Sequence, residues 1–584
     1  MLKALKELVS KTVFIDERIN GSFIFEGDHE DIIDDYINKW HEVVAKGDSK
    51  TFEKRLSLDN LDLNSVRNIL GTISFNEHLP EWTEIFEEII NKEVLEKKYI
   101  TCNSDARDAV PFQEILYPFV LIARKELLKT EITHLASEES FNTFERNLLR
   151  LLSNLCAETL YYEYIIYCTG KQPSYELYLD QARKRVNPEY YSNFIEDFFN
   201  DSFINFFSKY PVMARFVSSC IKLWIEGTCE FFTRLEEDLP EISRVFCKGE
   251  KPGKVVQVKP GISDTHNRGR SAIAITFSSG LKLIYKPKDL STEIVYFKIL
   301  SWFNEHISLK FKTLKIINRL HYGWVEFVEH RPCNNKEEVK NYYRRMGHFL
   351  CVIYVMGGSD CHCENIIASG EYPVFVDLET LMQAYIGSDN KEYKDRACVI
   401  ADNKLTRSVL KTGLLPNWVI QENGEACDIS GISGPSIRRN SVLREKENLS
   451  DRQILTGTER FRNVFNLPVL SGELIMPFEY IDSIVNGFRE IYMLVIEHRD
   501  YLLSSHSILN ELQSQKFRFI YRGTRVYNML FRKLLRPVFL KDAILFSIEL
   551  DVITRAILKF EQNKLYPLIK SEISSIERLD IPVF

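Results

Sequence analysis

Gly357-Gly-Ser-Asp360-Cys-His362-Cys-Glu-Asn365-Ile-Ile-Ala-Ser-Gly370-Glu-Tyr-Pro-Val-Phe-Val-Asp377-Leu-Glu379 carries the most structural and chemical information in the chain. It is D-x-H-x-x-N with an aspartate twelve residues after the Asn. Upstream, Val339, Tyr342, Met346, Leu350 and Ile353 mark one face of a helix that Gly357-Gly358 ends, so the motif falls on a loop. Downstream, Ile366–Ala368 and Val374–Val376 flank the turn Ser369-Gly-Glu-Tyr372, which predicts a hairpin folding Asp377 back onto Asn365. Phosphoryl transfer from ATP needs a group that orients or deprotonates the attacking hydroxyl, plus Asn and Asp oxygens to hold magnesium. Asp360, Asn365 and Asp377 supply that set. Cys361, His362 and Cys363 are adjacent and cannot converge on one tetrahedral zinc, and His362 reads as a residue that orders the loop.

Working outward, Ser271–Phe277, the turn Ser278-Ser-Gly280 and Leu281–Lys286 alternate with period two and predict a second hairpin. Pro287 stops its second strand, and Ser291 or Asp289 caps a helix carrying Ile294, Phe297, Leu300 and Trp302. Lys286 ends the strand as a candidate phosphate ligand. Lys288 is its competitor on the same face, and Glu293 reads more readily as a surface glutamate than as a lysine partner. Residues up to Phe246 are helical in pattern, as in Asp31–Ala45 and Ile221–Leu235, and the Lys, Gly and Pro of 247–270 mark a boundary. The expected layout is α+β: a helical region over 1–246, a smaller lobe over 247–333, and a larger lobe over 334–584 with an irregular insertion near 385–454.

Net charge is −7 with Lys and Arg scattered, which disfavours nucleic-acid and polybasic membrane partners. The amino terminus is charged throughout, unlike a signal peptide, and the twelve cysteines form no C-x-x-C pair, so a reducing cytosol is expected. The apolar run Leu148–Cys168 is broken by Arg150, Glu158 and Glu163 and reads as a buried helix, so no membrane span is expected. Two further clusters stand apart. Asp264-Thr-His266 and Arg518 to Thr524 read locally as turn residues and as a helix cap at Arg525.

Together, several ordered motifs resemble the dehydratase part of the class II lanthipeptide synthetases, the LanM enzymes. They are Gly269-Arg-Ser271, Tyr285-Lys-Pro287, the motif at 360–365 with Asp377-Leu-Glu-Thr380, Lys411-Thr-Gly-Leu-Leu-Pro416, Asp428-Ile-Ser-Gly431 and Arg518-Phe-Ile-Tyr-Arg-Gly-Thr524. The resemblance implies a bilobal, lipid-kinase-like core with helical additions. It implies phosphorylation of Ser and Thr in a ribosomal precursor peptide with ATP and Mg2+, then phosphate elimination to dehydroalanine and dehydrobutyrine. Lys286, Asp360, Asn365 and Asp377 would serve phosphorylation, supported by His362 and Glu379; Asp264, His266, Arg518 and Thr524 would serve elimination. Which of Asp264 and His266 is the base stays open. Full family members continue into a zinc-dependent cyclase, whereas this sequence ends at Arg578–Phe584, so a truncated synthetase or a stand-alone dehydratase with a separate cyclase is expected. Two other readings remain: a small-molecule or lipid kinase, which needs only the first residue set, and a leader-binding scaffold.

Overall fold

The computed structural model describes all residues except 1, 22, 27–29, 75–78, 91–108, 172–187, 384–396, 421–425, 434–463 and 559–563. The fold is mixed α/β and mainly helical, with small antiparallel sheets. Helices α1 (Glu138–Thr169) and α2 (Pro211–Phe246) run through the largest apolar cluster. Ser137 caps α1 by accepting from Ser140 N–H, and Pro211 opens α2, where its missing N–H leaves no helical bond unmade.

Beyond α2, five strands form one antiparallel sheet: β1 (Val255–Lys259), β2 (Ile273–Phe277), β3 (Lys282–Lys286), β4 (Ile316–Asn318) and β5 (Gly323–Glu326). Their spatial order is β1-β2-β3-β5-β4. The hairpin expected over 271–286 is β2–β3, in register Ile273↔Tyr285. The segment read as a boundary contains β1, whose Val255 and Val258 are buried against the helices. Its Lys, Gly and Pro composition concealed a strand with one buried edge.

Period-two alternation gives the sheet two different faces. Val255, Ile273, Ile275, Phe277, Leu283, Tyr285 and Trp324 pack into the cluster of α1 and α2. Ile284, Ile316 and Val325 face a second cluster, built on α3 (Ser291–His306) and α4 (Lys336–Val355). Buried Asp238 of α2 clamps the first face, accepting from Trp324 Nε1 at 2.8 Å and Arg319 Nε at 2.8 Å. Lys286 therefore leaves the sheet on the second face. Tyr527, Leu530, Phe546 and Ile573 join the α1–α2 cluster, so 524–558 and 564–581 pack with the helical region, although they were expected in one lobe with 334–523.

Helix α4 begins at Asn335, whose side chain accepts from Glu338 N–H, and it closes with Gly357 at φ +61°. Gly358 N–H reaches back to Ile353 O at 2.9 Å, the long bond of a Schellman ending. Helix α5 (Ile481–Glu497) crosses α4 in tight contact. A Cβ on Gly347 would lie 2.0 Å from Ile484 O, and one on Gly487 would lie 2.0 Å from Arg344 O. Gly347→Ala is expected to cost about 3 kcal/mol by overpacking. Denaturant unfolding reads this, and an unshifted midpoint would contradict the close crossing.

The insertion expected near 385–454 lies partly outside the described residues. Its described parts are ordered, with a helix Ala397–Thr406 and a hairpin pairing Trp418–Ile420 with Ala426–Asp428. Among the described residues no helix is long and apolar enough to cross a membrane.

Candidate active site

The loop after α4 is held from two sides through its backbone. Ser359 N–H donates to Thr380 O at 3.1 Å, and Thr380 Oγ1 donates back to Ser359 O at 2.6 Å. On the other side Cys361 N–H donates to Thr412 O at 2.9 Å and Cys363 N–H to Ile429 O at 3.0 Å. The Lys411–Pro416 and Asp428–Gly431 motifs therefore brace the loop. Gly413 and Gly431 are glycines because a Cβ would meet Cys361 N at 3.1 Å and Cys361 O at 2.5 Å. Asp428, buried, ties its own turn by accepting from Asn417 N–H and Ser430 N–H, each at 3.0 Å, and from the Ser433 hydroxyl.

Between these braces Asp360 adopts φ +60°, a left-handed conformation that Asp tolerates better than most residues. Burial pushes its carboxyl above the ordinary value; His362 and Arg518 oppose this, while Asp377 and Glu379 add to it. His362 Nδ1 accepts from Glu364 N–H at 3.2 Å, so the proton of the neutral ring sits on Nε2, 3.7 Å from Asp360 Oδ1. The loop-ordering role expected of His362 matches this geometry. Asn365 Nδ2 donates to Asp360 O at 2.9 Å, which leaves the amide oxygen as its group for a cation.

The hairpin Ile366–Ser369/Tyr372–Phe375 has the register Ile366↔Phe375, and Val376 N–H donates to Asn365 O at 3.0 Å. Pairing thus extends to Asn365, and Asp377 follows one residue beyond. Lys286 Nζ donates to Val376 O at 2.6 Å and lies 3.7 Å from Glu293 Oε1. Lys288 reaches further into the acidic group: its Nζ is 3.1 Å from Asp377 Oδ1, 2.8 Å from Glu379 Oε2 and 3.2 Å from Glu293 Oε1. Glu293 is no surface residue, since its side chain is only 5% exposed. The helix it starts turns its first-turn face onto the sheet, where Asp289 accepts from Ser291 N–H at 2.9 Å.

Burial resists ionisation of Asp377, but Lys288, Lys286 and Arg518 hold its carboxyl well below the usual range. Burial and Asp377 act likewise against Glu379, which Lys288 and Arg518 still keep low. Three cations, Lys286, Lys288 and Arg518, face four carboxylates, Glu293, Asp360, Asp377 and Glu379.

Arg518 Nη1 meets Glu379 Oε1 at 2.5 Å, and its backbone N–H donates to Glu379 O at 2.9 Å. A residue expected to serve elimination thus stands inside the carboxylate group expected to serve phosphorylation. Segment 577–584 ties the loop of His266 and the run of Arg518 to one stretch of chain. Ile581 N–H donates to Thr265 O at 3.1 Å, Ile581 O meets His266 Nδ1 at 2.7 Å, and Phe519 N–H donates to Phe584 O at 2.6 Å. Ile581 and Phe584 are three residues apart, so the two attachments lie within roughly 10 Å along the chain. A carbonyl only accepts, so the Nδ1 of His266 is the nitrogen that donates in this contact, and Nε2 is left without a role in it. Asp580, buried, fixes this loop by accepting from Arg268 N–H and Gly269 N–H, at 2.5 and 2.7 Å. Asp264 is exposed at the loop's edge. Thr524 begins the helix Thr524–Leu534, whose N-cap is Gly523 without a side-chain bond, so Thr524 is not the cap its local sequence suggested.

Lys288, Glu293, Asp428 and Asp580 were missing from the sequence-based site. Strand alternation placed Lys288 on the correct face but gave no reason to prefer it over Lys286. The positions of Asp428 and Asp580 depend on turns and non-local backbone contacts that carry no periodic signal.

Asp377 and Asn365 offer the hard oxygen donors that magnesium takes. Among the described residues no three His, Cys, Asp or Glu groups form a ready-made cage. Magnesium commonly completes its shell with water and phosphate oxygens, so this donor set fits a metal–nucleotide better than a bare ion.

A family profile described as "Domain of unknown function (DUF4135)" matches residues 210–584. The Lacticin 481/lactococcin biosynthesis protein LcnDR2 of Lactococcus lactis subsp. lactis is 28% identical over 396 residues, covering 64% of this chain and 40% of that protein. The aligned part is thus less than half of that relative. The profile covers the sheet, the braced Asp360 loop, Arg518 and segment 577–584, and the chain belongs to this family, the dehydratase-region domain of the class II lanthipeptide synthetases.

Proposed function

We propose that this chain dehydrates Ser and Thr residues of a precursor peptide in two steps, phosphorylation by ATP and elimination of phosphate, within one lipid-kinase-like cleft. The observation that supports this reading is the pairing of Arg518 with Glu379, which puts the cation proposed for phosphate among the carboxylates proposed for phosphorylation. A small-molecule kinase has no need of the Asp264–His266 loop beside it.

In the first step Asp360 accepts the proton of the Ser or Thr hydroxyl, whose oxygen bonds the γ-phosphorus as the bond to ADP breaks. Its raised pKa suits a base at neutral pH, and His362 orients it. Lys286 faces the phosphates, while Asn365 and Asp377 would hold magnesium, whose charge would offset that of the phosphate chain. In the second step His266 Nε2 takes the proton on Cα, and that electron pair becomes the Cα=Cβ bond as the Cβ–O bond breaks. Phosphate departs against Arg518 and the Thr524 hydroxyl. Asp264 is the second proton-transfer group of this loop. The alkene is then the electrophile for cysteine thiols.

A mass-resolved time course with ATP, Mg2+ and a Ser/Thr-rich precursor peptide tests this reading. Losses of about 18 Da per modified residue are expected, preceded by transient gains of about 80 Da. Gains without losses would reduce the protein to a kinase, and an unchanged mass would leave it a binding scaffold.

A further inference from the structure

The cation at the centre of the acidic group is Lys288, not the strand-end Lys286. Lys286 is taken up by the Val376 carbonyl at 2.6 Å, whereas the Lys288 ammonium meets three carboxylates at 2.8 to 3.2 Å. An ammonium has three N–H donors, and Asp377 and Glu379 receive hydrogen bonds from it. Glu293 is held by charge alone. Of these three partners Asp377 is the one assigned to magnesium, and Glu379 supports the same phosphorylation group.

A divalent cation on the Asp377 carboxylate and the ammonium now touching its Oδ1 repel each other at close range. We propose that Lys288 is a resident counter-cation of the magnesium site, which joins Asp377 to Glu379 before the metal arrives, yields Asp377 to it, and turns to the phosphate oxygens. The inference rests on the magnesium role of Asp377. Glu293, which the metal does not contest, keeps the lysine anchored as it moves, and its four-carbon stem gives it the reach.

The test titrates the full chain, without nucleotide, with Mn2+ followed by its paramagnetic signal, in wild type, Lys288→Met and Lys288→Arg; Asp377→Asn identifies the site. Lys288→Met is expected to bind Mn2+ about tenfold more tightly. It should also melt earlier in chelator and recover on adding Mn2+, while Lys288→Arg stays near wild type. A lysine serving only to pack or to bind phosphate would leave metal affinity unchanged. Equal or weaker Mn2+ binding by Lys288→Met, with binding still lost in Asp377→Asn, overturns the counter-cation role and leaves the magnesium site standing. If neither wild type nor Lys288→Met binds Mn2+, even with ATP present, the magnesium reading of Asp377 fails and this inference falls with it.

Discussion

Asp360→Asn abolishes phosphate incorporation into the peptide, lowering its rate by about 10³-fold, within the range that a positioned base contributes. The amide keeps the shape and the turn but cannot take the hydroxyl proton. Loss of folding is the alternative explanation to remove, and the electrostatics give the means. The Asp360 carboxyl is pushed up by burial, which outweighs the help of His362 and Arg518, and Asp377 and Glu379 add to the push. A raised acid contributes most to stability below its unfolded value, and that contribution is lost as pH rises through the folded value. At neutral pH the ionised carboxylate therefore costs stability that Asn does not, so the variant melts no earlier than wild type. In wild type, phosphorylation falls as pH drops through that same raised value, because the base becomes protonated. An Asp360→Asn protein that is folded and still phosphorylates normally would remove Asp360 from the chemistry.

Arg518→Ala separates the two steps. Elimination is expected to drop by about 10²-fold or more, the usual loss when one fixed donor to a developing anion is removed. Phosphopeptide then accumulates where wild type shows only its brief passage. Because Arg518 also pairs with Glu379 at 2.5 Å, phosphorylation slows as well, by a smaller factor, since Lys288 still neutralises Glu379. Arg518→Lys keeps the charge without the planar fork and should recover part of the elimination rate. Mass spectrometry of the peptide reads all three proteins. Complete dehydration by Arg518→Ala would show that the phosphate leaves without this guanidinium.

The parts legible in the sequence are those that local periodicity encodes. The β2–β3 hairpin, α4 with its glycine ending and the hairpin after Asn365 follow from alternation, helical spacing and turn residues. Strand β1 escaped because Lys254, Lys259 and Pro260 resemble a linker, while only Val255 and Val258 are buried. Glu293 looked like an exposed first-turn acid, and its burial depends on packing between α3 and the sheet. Asp264, His266, Arg518 and Thr524 gained meaning only through resemblance. In the structure, backbone hydrogen bonds of Ile581 with Thr265 and of Phe584 with Phe519 tie the His266 loop and the Arg518 run to one carboxy-terminal stretch, spanning hundreds of residues in one case and tens in the other. Such contacts leave no pattern in composition or spacing.

The central claim is that the oxygen of the Ser or Thr side chain leaves as part of phosphate. A precursor peptide made with isotopically heavy oxygen in those hydroxyls, incubated with the protein, ATP and Mg2+, tests it most directly by mass analysis of the released phosphate. The account predicts that each new alkene is matched by one phosphate carrying the heavy oxygen. Heavy oxygen recovered in water instead, with alkene formed, would contradict a phosphorylated intermediate.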